Sequence, residues 1–312
     1  MSGPMSSNGG GLRYLEHKHI NYEKWDRCIE NAANSRIYAM SWHLDRTAET
    51  WDALVMGDYE IVMPLPYRVK WGIKYLYQPL FSQQLGIFPN PPAIILKQFY
   101  SELLRRFRFA DTQINSKNNQ IELSGPISFS ARENYLLRLS ENYQKIASGY
   151  SQNTARNIKK AQKNSLSFVA GISIEDYLDF KRNNLPVKLP GDALKKLKSI
   201  IALGLYKGIG EIYGVYTNEN ELCAAVYFCR WKERVIYMNA ASNSKGKELR
   251  GMFFLLDRFI HQNAESNLLL DLEGSTIPGV ARFYAGFGAI PETYYQLKFN
   301  RLPIPLKWIK RK

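Results

Sequence analysis

Residues 268–290, LLLDLEGSTIPGVARFYAGFGAI, constrain the chain more than any other stretch: an apolar run ends in two carboxylates, a glycine breaks it, and a helical pattern follows within a few residues. A strand over 268–273 places Leu268, Leu270 and Leu272 on one face and Leu269, Asp271 and Glu273 on the other, because side chains alternate along a strand. Gly274 ends it, Ser275 or Thr276 can accept from the first free helix amides, and Pro278 fits the first turn, where its missing N–H costs nothing. Val280, Phe283, Tyr284 and Phe287 then recur at the spacing of a core-facing helical stripe, and Gly286 with Gly288 supplies the stop. Chemistry often sits at such a junction, and Tyr284 fits either a catalytic phenol or a core tyrosine.

The chain has 312 residues, which at roughly 150 per domain suggests two domains, and its 45% apolar content sustains buried cores. Cys28, Cys223 and Cys229 form neither a CxxC pair nor a disulfide framework, a pattern that suits a reducing compartment and simple burial. His17 and His19 alternate on an expected first strand, but no cluster at metal-ligand spacing stands nearby, so no metal site is expected. No apolar run approaches the roughly 18 to 20 residues of a spanning helix, and the N-terminus lacks the layout of a secretory signal. A cytoplasmic protein is the expectation. Residues 1–11 are rich in Ser and Gly and read as a loose tail, followed by a first domain over 12–145 and a second over 146–312.

A net charge of +14 raises the local concentration of phosphates and of anionic membrane headgroups. The excess is uneven: Lys145, Arg156, Lys159, Lys160 and Lys163 fall between Glu141 and Glu175 with no acid among them, and Lys298, Arg301, Lys307, Lys310, Arg311 and Lys312 follow Glu292. Both runs are candidate phosphate contacts, and both also fit solvated faces.

In the first half, residues 58–68 and 74–78 read as strands that their prolines limit to edges or ends, 99–109 as a helix opened by Pro91 and Pro92, and 121–123 as a short strand. In the second half, helices are predicted over 153–163, 174–184 and 192–205, a hairpin over 210–216 and 222–231, and a strand over 235–241. A long helix over 247–264, the 268–273 strand, a helix over 278–285 and a strand over 294–299 complete it. The element order reads as one plan used twice.

The segment Ala281–Arg282–Phe283–Tyr284–Ala285–Gly286–Phe287–Gly288 resembles the A-x-x-Y-x-x-x-G segment late in the GNAT acyltransferase fold, where the tyrosine often acts as general acid. Residues 151–166, SQNTARNIKKAQKNSL, look like the R-x-x-I-x-K-A-x-K stretch that opens the second domain of Fem-type aminoacyltransferases. Asp271–Leu272–Glu273–Gly274 sits where those proteins carry an acidic strand end before glycine. The resemblance implies an α/β fold (α+β in some schemes): two tandem GNAT-like domains, each a mixed, mostly antiparallel sheet flanked by helices, with the site in the second. It implies an N-acyltransferase that moves an acyl or aminoacyl group to an amine, a cell-wall precursor among the acceptors. It also implies that no cofactor is bound and that the donor is a co-substrate, aminoacyl-tRNA, with acyl-CoA as the alternative.

In that frame Glu273 is the candidate base, Asp271 the second choice and Tyr284 the acid. Asn239 and Ser242 end the strand that in the GNAT plan splays from its neighbour and offers N–H groups to the acyl carbonyl. Gly246 and Arg250 are placed at the donor, Arg156, Lys159 and Lys160 on a polyanionic donor or a lipid pyrophosphate, and Arg282 on a phosphate or substrate carboxylate. One departure stands out: where acetyltransferases carry Q/R-x-x-G-x-G/A, this chain reads Asn243–Ser244–Lys245–Gly246–Lys247–Glu248, and a carboxylate there repels a pyrophosphate. Two alternatives stay open, an acyl-CoA-dependent N-acetyltransferase on a small amine and a non-catalytic binder of nucleic acid or membrane surface on the same scaffold.

Overall fold

The structure is a computed structural model that describes residues 11–118, 125–184, 191–274 and 277–303. It divides into two compact units, residues 1–132 with 293–312, and residues 133–292. The boundary therefore falls earlier than the expected 145/146, and the last strand belongs with the first unit.

In the first unit β1 (Leu12–Leu15), β2 (Thr50–Met56), β3 (Ile61–Lys70) and β4 (Ile73–Tyr77) form an antiparallel meander, with α1 (Tyr22–Asn31) and α2 (Ser41–Thr47) between β1 and β2. After α3 (Ala93–Arg106) the chain returns as β5 (Phe109–Ile114), parallel to β4, and the final strand β12 (Ile290–Asn300) pairs antiparallel with β5. The strand order is β1-β2-β3-β4-β5-β12. Leu54, Leu65, Phe99, Leu103, Ile114 and Leu297 pack in its core.

Several local expectations change. Residues His17–His19 form a 3-10 turn after β1, not part of a strand. Strand β3 lies between β2 and β4 despite Pro64 and Pro66. The N–H and C=O of Val62 bond Phe88, away from β2, and by the strand period of two the nitrogens of Pro64 and Pro66 face that same side. The ladder to β4 begins only at Tyr67, so neither missing donor interrupts it. Phe109 starts β5 and does not end a helix. The strand predicted over 121–123 and the basic residues Lys307, Lys310, Arg311 and Lys312 lie outside the described residues.

The second unit takes the same path. Strands β7 (Ser167–Ala170), β8 (Gly210–Tyr216), β9 (Leu222–Trp231) and β10 (Arg234–Ser242) form the meander, with α6 (Ile174–Asn183) and α7 (Ala193–Tyr206) between β7 and β8. After α8 (Ser244–Glu248) and α9 (Gly251–Asn263), β11 (Leu269–Asp271) returns parallel to β10, and β6 (Ser128–Arg138) pairs antiparallel with β11. Helices α4 (Tyr143–Ser148) and α5 (Gln152–Gln162) precede β7, and α10 (Pro278–Gly286) follows β11. The strand order is β6-β11-β10-β9-β8-β7.

The two paths exchange their last strands. Strand β6, the next strand in sequence after β5, pairs with β11, and β12, the next strand in sequence after β11, pairs with β5. This exchange is why a boundary drawn by counting residues along the chain misses the observed one.

The predicted helix over 247–264 is two helices broken at Arg250, whose φ of 64° lies in the left-handed region. Close packing on β9 sets that break. A Cβ on Gly246 would stand 2.0 Å from the Cys223 carbonyl oxygen, so only glycine lets the short α8 lie against the strand backbone.

Candidate active site

Strands β10 and β11 pair only from Arg234 to Ile236 and from Leu269 to Asp271. Beyond that point β10 runs on to Ser242 while β11 stops, so the two part. Within the parting stretch the β9 ladder slips between Tyr237 and Asn239, leaving Met238 as the extra residue of a bulge. A bulge re-aims backbone and side chains locally, and bulges recur beside active sites. A cavity of about 540 Å³ opens here, bounded by β10, the turn into α9, the end of β11 and α10.

The cavity has two kinds of wall. Met252, Phe253, Val280 and Phe283 make it apolar on the helix side. Asn239, Ser242, Lys247, Arg250, Glu273 and Tyr284 bring polar groups to it. Of the residues singled out from the sequence, Glu273, Tyr284, Asn239, Ser242, Gly246 and Arg250 share this one hollow.

Asp271 is not on its wall. The residue is 1% exposed, its Oδ2 is ion-paired with Arg234, and its Oδ1 accepts from the Glu273 N–H at 2.9 Å. The expected shared carboxylate face breaks because Glu273 has φ of 56°, in the left-handed region, which turns it out of the strand alternation. That conformation is costly for a residue with a side chain. Here the Asp271 acceptor and the bond from the Tyr135 N–H to the Glu273 carbonyl at 3.1 Å hold it. Asp271 thus serves as the clamp that aims Glu273 and not as a second acid on the cavity.

Tyr284 comes from the core-facing stripe and is 8% exposed, with its ring against Tyr135 and Tyr237 at centroid distances of 6.1 and 5.8 Å. It is packed as a core residue and also lines the cavity. Burial first, and then the charges of Glu273 and Asp271, push its pKa above the ordinary phenol value. The phenol therefore keeps its proton at neutral pH.

The glycine-containing turn gives a mixed result. The Gly246 N–H donates to Asn243 Oδ1 at 2.7 Å, so the amide expected to reach a phosphate already has a partner. Glu248 is exposed and does not line the cavity, whereas Lys247 and Arg250 do. The Arg250 guanidinium donates to the Lys247 carbonyl at 2.8 Å.

Arg156, Lys159 and Lys160 project from the exposed face of α5, whose Thr154, Ile158 and Ala161 are buried. They do not reach the hollow. Arg282 lines a second cavity of about 640 Å³ with Ser151, Asn153 and Thr154, which shares Phe253, Gly279 and Phe283 with the first. Met238, Met252, Phe253 and Tyr237 also line the cavity, and nothing in the sequence marks them. A bulge leaves no composition signal, and Met252 and Phe253 read as ordinary stripe residues of a helix. Among the described residues no helix is long and apolar enough to cross a membrane, and no group of three or more His, Cys, Asp or Glu comes together as a metal site.

The fold is that of FemX and of tandem GNAT structures. Among solved structures the chain is similar to FemX, with a TM-score of 0.63 and 9% identity over 96% of this chain and 100% of that one. It is also similar to the C-terminal domain of a protein assigned as a lysylphosphatidylglycerol synthetase from Agrobacterium fabrum, with a TM-score of 0.57 and 10% identity over 92% of this chain and 94% of that one. A tandem GNAT protein from the clavulanic acid biosynthesis pathway matches with a TM-score of 0.53 and 12% identity over 94% and 99% of the two chains. No protein-family model and no curated protein matches the sequence. At these identities the likeness is one of fold.

Proposed function

We propose that the chain is an N-acyltransferase whose reaction takes place in the gap between β10 and β11. The observation that carries this reading is the convergence of Glu273 and Tyr284 on one cavity beside the bulge at Met238. An amine entering the cavity needs a proton acceptor before it attacks, and Glu273 supplies a carboxylate. The leaving group needs a proton, and Tyr284, which burial keeps protonated, supplies it. Backbone N–H groups of the β10 end stabilise the oxygen as charge develops. Asp271 keeps Glu273 aimed.

The donor we favour is an aminoacyl ester of tRNA. The Gly246 amide is already capped by Asn243, which argues against a backbone cradle for a pyrophosphate. Arg156, Lys159, Lys160 and Arg282 then hold the polyanion outside the cavity. A second reading, an acyl-CoA donor, is favoured by one observation, that Lys247 and Arg250 line the hollow in place of Glu248. A cell-wall precursor amine heads the acceptors to try.

The test mixes the protein with aminoacyl-tRNA or acetyl-CoA and a panel of amines, and repeats the measurement on Glu273→Gln and Tyr284→Phe. Both variants are expected to keep the fold and lose transfer; unchanged turnover in both removes them from catalysis. Tight calorimetric binding of acetyl-CoA selects the second donor. RNA binding with a steep salt dependence, no preference for charged tRNA and no transfer to any amine supports a non-catalytic binder instead.

A further inference from the structure

Two side chains of α6 reach β10 where it lines the cavity. Tyr177 and Lys181 stand four residues apart, on one face of the helix. Tyr177 is fully buried and donates its hydroxyl hydrogen to Asn239 Oδ1 at 2.7 Å. Lys181, 7% exposed, donates to the Ala240 carbonyl at 3.1 Å. Both acceptors lie past Ile236, in the stretch of β10 that has left β11.

The hydrogen bond fixes which way the Asn239 carboxamide faces. Turning the amide over would point N–H groups at Tyr177 and leave the hydrogen of a buried phenol without an acceptor, which a protein interior strongly disfavours. With Oδ1 committed to α6, the Nδ2 hydrogens face the other way. Among the described residues they have no acceptor, and Asn239 lines the cavity.

We propose that Tyr177 is a positioning residue that holds the Asn239 side-chain amide as a hydrogen-bond donor to the carbonyl oxygen of the acyl group being transferred. This rests on the acyl-transfer reading above and adds a side-chain donor to the backbone ones. As the amine nitrogen bonds to the acyl carbon, the carbonyl π electrons move to oxygen and Nδ2–H donates to it. When the bond to the donor's ester oxygen or thioester sulfur breaks, those electrons return. The amine's proton goes to Glu273 and the leaving group takes one from Tyr284, so the step balances with no further reactant.

Tyr177→Phe keeps the ring and removes only the hydrogen bond. It is expected to lower kcat about tenfold with the donor's KM within about twofold, and Asn239→Ala about a hundredfold, the range for one lost oxyanion donor. Asn239→Asp still accepts from Tyr177 but offers no N–H, and is expected to behave like Asn239→Ala. The double variant Tyr177→Phe with Asn239→Ala is expected to be no slower than Asn239→Ala alone, because one hydrogen bond is broken in both. Multiplying effects, or wild-type kcat in Asn239→Asp, would overturn the proposal.

A second measurement does not need turnover. In ¹⁵N NMR the Asn239 side-chain amide signal is expected to shift and broaden in Tyr177→Phe while the backbone signals of β9 stay in place; an unmoved amide signal overturns the proposal on its own. Absence of transfer to every amine by the wild-type protein, with either donor, defeats the acyl-transfer reading and leaves the amide spectrum to decide Asn239. Glu273-dependent transfer with a silent Tyr177→Phe defeats this inference alone.

Discussion

The two units trace the same path through four antiparallel strands, a helix and a parallel return, yet they treat the point where the parallel pair ends in opposite ways. In the second unit β10 and β11 part after Ile236 and Asp271 and the gap is a cavity. In the first, β4 and β5 pair at Leu76 and Tyr77 with Ala110 and Asp111, and the space beyond is filled. Gln78 Oε1 accepts from the Thr112 hydroxyl at 3.0 Å and from the Gln113 N–H at 2.8 Å. Leu85 bridges to Ile114, exchanging bonds with the Gln113 carbonyl and the Asn115 N–H at 3.0 and 2.8 Å. One side chain and one extra bridge close in the first unit the gap that stays open in the second. The lesson is that a duplicated path does not duplicate a site, because the site depends on what is left out of the gap.

The sharpest way to break this contrast is to remove the chemistry of the open gap. Glu273→Gln is expected to lower acyl transfer by about 10²- to 10⁴-fold, the usual worth of a general base, with an unchanged melting curve. Full activity would move the base elsewhere. Next in size, Asp271→Ala removes the buried carboxylate that pairs with Arg234 and is expected to cost about 3 kcal/mol in a denaturant titration, together with a loss of transfer as Glu273 loses its clamp. Stability unchanged within error would mean the pair does not hold the strand end.

On the closed side, Gln78→Ala strips acceptors from Thr112 and Gln113 and is expected to cost about 2 kcal/mol while transfer stays at the wild-type rate. A fall in specific activity with the fold retained would show that the first unit is more than scaffold. The smallest effect concerns Lys181, whose pKa burial lowers to about 8 from its ordinary 10.5. Below pH 8 both folded and unfolded chains carry the proton. Between about 8 and 10.5 the unfolded chain holds a proton that the folded chain has lost, so this lysine makes stability rise with pH across that window. Comparing urea midpoints of wild type and Lys181→Met from pH 7 to pH 10 should show the difference shifting in favour of wild type as pH rises.

Much of the second unit was legible because its signals are local. The alternation in 210–231, the stripe of Val280, Phe283, Tyr284 and Phe287, and the glycine stops all depend on neighbours within a few residues, and they placed Glu273 and Tyr284 near one another. What stayed hidden depends on contacts far apart in sequence. Strand β2, TWDALVM, is buried from Trp51 to Val55, so it shows no alternation to read. The strand exchange of β6 and β12 has no local mark. The left-handed turns at Arg250 and Glu273 are set by the packing of Gly246 on Cys223 and by the Asp271 clamp, and neither residue type announces such a turn. Nothing local in the sequence links Tyr177 to Asn239, its hydrogen-bond partner 62 positions away.

The central claim, that the acyl group sits in the gap between β10 and β11, is tested most directly by crystals grown with an aminoacyl-adenosine whose ester is replaced by an amide. The account expects its carbonyl oxygen within hydrogen-bond reach of Asn239 Nδ2 or the bulged β10 backbone, with the aminoacyl group against Val280 and Phe283. Ordered ligand bound elsewhere in the second unit, with none in the gap, would contradict it.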